Sequence, residues 1–130
     1  MSVIGIVEDN KKIRGLIQRY LDMQDKLSCP VGVESVEELM EYLENNTIPD
    51  VILMDIQLPG MSGIEGISLL KKEYPEIEII MLTVYHDSHK IFKSLKSGAS
   101  GYLLKNTPLP EIKESIVALM EGGAPMSPQI

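Results

Sequence analysis

Apolar, strand-like runs alternate five times with segments of helical period, which predicts an α/β fold: a five-stranded parallel sheet covered by helices on both faces. Two observations carry this reading. The run Val51-Ile52-Leu53-Met54 is apolar without interruption, the pattern of a strand buried on both faces. It ends on a carboxylate, Asp55, and Pro59-Gly60 break the chain soon after. In an open parallel sheet, ligands bind at the carboxyl ends of the strands. A charge held there is costly unless something compensates it.

Each element has its own signal. Val3 to Val7 form the first strand, and Ile13, Leu16, Ile17, Tyr20 and Leu21 then mark one helical face. A weaker strand spans Leu27 to Val33, where Pro30 predicts a sheet edge. Ser35 and Glu38 form a capping-box pattern ahead of a helix bearing Val36, Leu39, Met40 and Leu43. Asn45-Asn46-Thr47-Ile48-Pro49 ends that helix, and the third strand leads to Asp55. A helix from about Ser62 to Glu73 stops before Pro75, and Ile77 to Leu82 is the fourth strand. A helix from about Ser88 to Ser97 ends at Gly98, a C-cap residue. Its apolar stripe, Ile91, Phe92 and Leu95, is thin, so this helix is a candidate for movement. Tyr102 to Leu104 make a short fifth strand, and the last helix runs from about Pro108 to Glu121 before Gly122-Gly123. Right-handed crossovers leave few topologies for five such units. The flavodoxin-like order 2-1-3-4-5 puts the Pro30 strand at an edge and the first and third strands side by side.

Composition narrows the function classes. A chain of 130 residues, 44% apolar and 24% charged, suits one soluble domain with a sizeable core. Lys+Arg 12 against Asp+Glu 19 give −7, which argues against direct nucleic-acid binding and against an anionic membrane surface as partner. No apolar run approaches the ~20 residues of a membrane span, and Met1-Ser2-Val3-Ile4 does not resemble a signal peptide. The single Cys29 cannot form an internal disulfide; it points to a reducing cytoplasm and reads as a small buried strand residue. The 8 methionines are scattered and read as core filler.

The first strand ends at Glu8-Asp9-Asn10, just where Asp55 ends the third. A helix N-cap explains Asp9 or Asn10. It does not explain three acids at the ends of two buried strands, which repel one another. A hard divalent cation does: Mg²⁺ takes oxygen ligands and keeps several waters. Thr83 ends the fourth strand and Lys105 follows the fifth. Singly, each reads as a cap and a surface charge. Together with the acids they fit a tetrahedral anion held beside a cation. Asp55 is then the natural nucleophile, because a carboxylate attacks a phosphoryl group without a base.

These residues, with Pro59-Gly60 and Gly63, and the segment Gly98-Ala99-Ser100-Gly101-Tyr102-Leu103-Leu104-Lys105-Asn106, carry a resemblance. The chain resembles the receiver domain of two-component response regulators over nearly its whole length, and specifically the NarL/FixJ-type subfamily with its LuxR-type helix-turn-helix output. The resemblance implies that Asp55 accepts phosphate from a histidine kinase's phosphohistidine. It implies that Asp9, Asp55 and the main-chain carbonyl of Gln57 bind Mg²⁺, with Glu8 acting through a water. Thr83 and Lys105 would hold the phosphoryl oxygens, and Tyr102 would be the switch aromatic. Gln57 and Tyr85 would flank the route of an attacking water and tune the lifetime of the acyl phosphate. The residue after Lys105 is Asn106 where many receivers have a cis-proline, so no cis bond is expected there.

The output surface implied is the fourth helix, the fifth strand and the last helix; a homodimer formed on phosphorylation would use these or the first and last helices. Residues 1–123 then form the receiver and 124–130 the start of a linker. Ser127-Pro128 has the pattern of an N-cap with proline at N1, as if another helix began there. A DNA-binding domain beyond it would make contact with DNA in place of this acidic unit. Two other classes compete. A Mg²⁺-dependent aspartyl-phosphate phosphatase commonly has a second acid two residues after the nucleophile, but here that residue is Gln57. A flavin-binding module needs phosphate donors in its first loop, which instead holds Glu8-Asp9. The expectation is therefore a switch that catalyses only its own phosphorylation and dephosphorylation, either fused to an output domain or acting alone by docking. His86 and His89 form an H-x-x-H that reads as the solvated start of a helix, not a metal pair.

Overall fold

A computed structural model describes residues 1–130. The strands are β1 (Ser2–Val7), β2 (Leu27–Val33), β3 (Val51–Met54), β4 (Glu78–Thr83) and β5 (Gly101–Leu104). The helices are α1 (Lys11–Asp22), α2 (Val36–Asn45), α3 (Gly63–Glu73), α4 (Ser88–Ser97) and α5 (Leu109–Met120). All neighbouring strands run parallel, in the order β2-β1-β3-β4-β5, which is the flavodoxin-like arrangement expected from the alternation.

Period-two alternation splits the apolar strands between two cores. On one face Ile52, Met54, Ile79 and Met81 pack with Leu39 and Leu43 of α2 and Ile67 and Leu70 of α3. On the other, Ile4, Leu53, Ile80 and Leu103 pack with Ile17 and Leu21 of α1 and Ile112 and Ile116 of α5. Every residue of β3 is 0% exposed, so the strand that leads to Asp55 is the centre of the molecule. Removing a large side chain there would cost about 2–5 kcal/mol.

Pro30 does lie on an edge strand. The β1–β2 register slips by one residue between the Val3–Ser28 and Gly5–Val31 pairs, so β2 bulges where proline has no N–H to offer. The peptide bond after Lys105 is trans, as are all others. Gly98 closes α4 in a left-handed conformation.

Three expectations are corrected in detail. Leu16 is 51% exposed, so the buried stripe of α1 is Ile13, Ile17, Tyr20 and Leu21. Phe92 is 64% exposed, beneath the Lys96 ammonium, because one residue's turn of the helix carries it off the Ile91–Ser94–Leu95 face. Ser35 does cap α2 by accepting from Glu38 N, but the Glu38 carboxylate accepts from Glu34 N, one residue outside the box. The reciprocal box forms instead at Ser62 and Glu65 at the start of α3.

Candidate functional site

The parallel register carries the ends of four strands to one crevice. Asp55 N donates to Val7 O (3.2 Å), which sets the Asp55 backbone beside the end of β1. Glu8 follows β1 directly and is 2% exposed; Asp55 is 6% exposed; Asp9 lies at the exposed rim. Asn10, not Asp9, caps α1, accepting from Ile13 N at 3.0 Å. Asp9 is thereby left without a capping duty. One carboxylate oxygen from each of Glu8, Asp9 and Asp55 lies within 4.8 Å of the others.

Lys105 closes the crevice from the end of β5. Its Nζ lies 2.6 Å from Glu8 Oε1 and 2.7 Å from Asp55 Oδ2. The remaining oxygens are held by backbone: Asp55 Oδ1 accepts from Ile56 N at 2.7 Å and Glu8 Oε2 from Asn10 N at 2.9 Å. Burial pushes the Glu8 carboxyl above its ordinary value, against the opposing pull of Lys105 and the Asn10 N–H. Burial also works to lower the Lys105 ammonium, but its bonds to Asp55 and Glu8 outweigh this and hold it above its usual value. Three carboxylates face one ammonium, so the negative charge is only partly offset. A donor set made wholly of hard oxygen atoms around that excess fits a divalent cation such as Mg²⁺.

Gly63 brings the start of α3 against this strand end. A Cβ at residue 63 would lie 1.9 Å from Asp55 O, and Gly63 N donates to Ile56 O at 2.7 Å. No other residue fits there without moving the loop that holds Asp55.

Thr83 ends β4, fully buried, and its hydroxyl has no hydrogen-bond partner. Such an orphan costs about 1–3 kcal/mol. Tyr102 is 0% exposed, and its hydroxyl donates to Tyr85 O at 2.7 Å. Burial, with Asp87 and Asp55 adding to it, pushes that phenol up to about 12. The Tyr85 hydroxyl in turn donates to the Gln57 side-chain carbonyl. Gln57 and Tyr85, which the resemblance puts on either side of a water's route, are thus hydrogen-bonded to each other. His86 lies just before α4 and His89 in its first turn; both are exposed and stand outside the acidic cluster.

Two residues near the site escaped sequence reasoning. Arg14, in the first turns of α1, donates from Nη1 to Glu8 O at 2.7 Å and so fixes the peptide between the two acids. Ser127 lies beyond α5 and is 5% exposed. Its hydroxyl accepts from Leu104 N at 2.9 Å, beside Lys105, instead of capping a new helix. The turn after it is closed by Ile130 N donating to Ser127 O at 2.9 Å. Arg14 carried a faint signal, a cation one turn into the helix that follows an acid pair; Ser127 carried only a helix-cap pattern, which points away from this role.

Comparison with known proteins bears on the family and the fold. Residues 4–117 match the family described as the response regulator receiver domain. The transcriptional regulatory protein DegU of Brevibacillus brevis is 33% identical over 127 residues, covering 98% of this chain and 53% of DegU. The oxygen regulatory protein NreC of Staphylococcus aureus is 35% identical over 124 residues, covering 92% of this chain and 55% of NreC. The chain thus spans about half the length of these curated relatives. Among solved structures, a LuxR-family two-component response regulator from Aurantimonas superposes with a TM-score of 0.90 at 27% identity, over 100% of this chain and 92% of that one.

Proposed function

Because the chain belongs to the response regulator receiver family, we propose that it is a phosphorylation-activated switch whose acceptor is Asp55 and whose donor is the phosphohistidine of a sensor histidine kinase. The observation that carries this reading is the Asp55–Lys105 contact in a crevice shared with Glu8 and Asp9.

Asp55 attacks phosphorus in line with the departing imidazole. The new P–O bond forms as the P–N bond breaks, and the electron pair leaves with the imidazole nitrogen. The attacking carboxylate carries no proton, so no base is required. Asp9, Asp55, the Gln57 main-chain carbonyl and, through a water, Glu8 would hold Mg²⁺. When bound, that ion offsets the charge gathering on the carboxylate and phosphoryl oxygens. Lys105, already aimed at Asp55, then turns from Glu8 to a phosphoryl oxygen. Thr83 has a buried hydroxyl free to donate to another, and that donation relieves its missing partner. Tyr102, fully buried beneath Tyr85 O, links this movement to β5 and to the surface formed with α4 and α5.

The relatives' names and the unmatched half of their lengths support a further output domain and a role in transcription; the resemblance seen in the sequence makes that domain a helix-turn-helix unit after residue 130. Contact with DNA would then be made only by that further domain, and the working compartment would be the cytoplasm. No helix here is long and apolar enough to cross a membrane. Autophosphorylation and autodephosphorylation are the only catalysis assigned.

Incubation with acetyl phosphate and Mg²⁺, read by intact mass, should add one hydroxylamine-labile phosphate, and none to Asp55→Asn. A phosphate retained by that variant would refute the assignment. Gln57 and Tyr85, hydrogen-bonded to each other, would flank the route of a hydrolytic water, so Gln57→Ala or Tyr85→Ala should change the decay rate of labelled protein severalfold. Unchanged lifetimes in both variants would remove them from the site.

A further inference from the structure

The segment after α5 returns to the sheet. Pro125 O accepts from Tyr102 N at 2.9 Å, Ser127 N donates to Tyr102 O at 3.0 Å, and Ser127 Oγ accepts from Leu104 N at 2.9 Å. Met126 thus pairs in parallel with Tyr102, and the outer edge of β5 is covered by a short strap of the same chain. A Cβ at Gly101 would lie 2.7 Å from Pro125 O, so only glycine admits the strap this closely. Its apolar packing is thin. Met126 is 38% exposed, and a cavity of about 230 Å³ lined by Thr107, Glu111, Met126 and Ser127 separates the strap from the start of α5. Three hydrogen bonds, not a core, hold it in place.

Two paths lead from those bonds toward Asp55, one ending on it and the other on Gln57, two residues further along the chain. In the first, Ser127 grips the amide of Leu104, the next residue is Lys105, and Lys105 Nζ touches Asp55. In the second, the strap grips both backbone groups of Tyr102, the Tyr102 hydroxyl holds Tyr85 O, and the Tyr85 hydroxyl holds the side chain of Gln57, in the loop that follows Asp55. We propose that Ser127 is a positioning residue for the phosphoryl site, so that strap docking and phosphoryl binding at Asp55 favour one another. The strap holds β5 with Tyr102 inward and Lys105 aimed at Asp55, which is the arrangement a phosphoryl group requires. By linkage, whatever pulls on the strap lowers the site's affinity, and filling the site tightens the strap by the same factor. This inference rests on the phosphoacceptor reading above.

The test uses beryllofluoride with Mg²⁺, titrated into the 130-residue chain by NMR. The coupling cannot exceed the lost hydrogen bond, so Ser127→Ala should weaken beryllofluoride binding about threefold to tenfold. Ser127→Thr, which keeps the oxygen, should restore it. In the unaltered protein, exchange of the Leu104 and Ser127 amides should slow by a similar factor when beryllofluoride binds, a readout independent of how well the variant folds. Equal affinity in Ser127→Ala, or amide exchange indifferent to beryllofluoride, overturns the inference while leaving Asp55 as acceptor. Failure of the unaltered protein to bind beryllofluoride overturns both.

Discussion

Asp50 and Asp55 bracket the same four-residue strand, and the contrast between them separates an acid that builds the fold from one that is kept available. Asp50 stands at the amino end of β3. Its carboxylate accepts from Val3 N at 2.8 Å, its own N–H donates to Val3 O at 2.7 Å, and its carbonyl accepts from Glu78 N at 3.0 Å. It is exposed, and all three of its bonds go to backbone groups of the two neighbouring strands, β1 and β4. Asp55 at the other end is 6% exposed, beside two further acids, and is tied by a mobile type of partner, a lysine side chain. Identical chemistry thus becomes a rivet at one edge of a parallel sheet and a reactive group at the other. What differs is which neighbouring strands end there and with what.

The contrast can be broken in stages. The largest effect is expected for Asp55→Asn: phosphoryl acceptance falls to background, while urea unfolding shifts by less than about 1 kcal/mol because Lys105 keeps Glu8. Lys105→Ala should act on both properties. Removing the ammonium leaves two buried carboxylates facing each other, and stability should fall by about 2–3 kcal/mol. Added Mg²⁺ should then raise the melting temperature of that variant more than that of the unaltered protein, which calorimetry would measure. Asp50→Ala should be the mirror image of Asp55→Asn: about 1 kcal/mol of stability lost with the Val3 bond, and labelling by acetyl phosphate unchanged. The smallest effect concerns alkaline pH. Tyr102 keeps its proton in the folded state until about 12, against 10.0 ordinarily, so its share of stability is complete below pH 10 and is lost as pH rises toward 12. Phenolate absorbance should show one late step that Tyr102→Phe removes.

Much of this was legible beforehand, for a physical reason. A strand buried on both faces has no polar alternation to blur it, so β3 and the acid at its end stand out from one run of letters. Once the order 2-1-3-4-5 is adopted, Glu8, Asp55, Thr83 and Lys105 converge because parallel strands share their carboxyl edge. Contacts that depend on side-chain direction were not legible. Phe92 and Leu16 fit an apolar stripe by spacing yet face outward, since a helix of about 3.6 residues per turn leaves adjacent positions ambiguous. Ser127 carries the pattern of a helix cap. Its oxygen is instead used by Leu104, 23 residues back in the chain, a pairing that no local rule anticipates.

The bulge at Pro30 has a consequence for association. An open parallel sheet has two outer edges, each a row of unpaired backbone groups on which another sheet can build. On β2 the row is already occupied in part: Cys29 N donates to Asp22 Oδ1 and Cys29 O accepts from Gln18 Nε2, both on α1, while Pro30 next to it has no N–H and the register slips there. On β5 the row is covered only by residues 125–127, through bonds that can be exchanged. One flank of the molecule is therefore blunted by α1 and Pro30, the other only by the strap. Any strand-to-strand joining of two copies would fall on the β5 side and would require residues 125–127 to leave it.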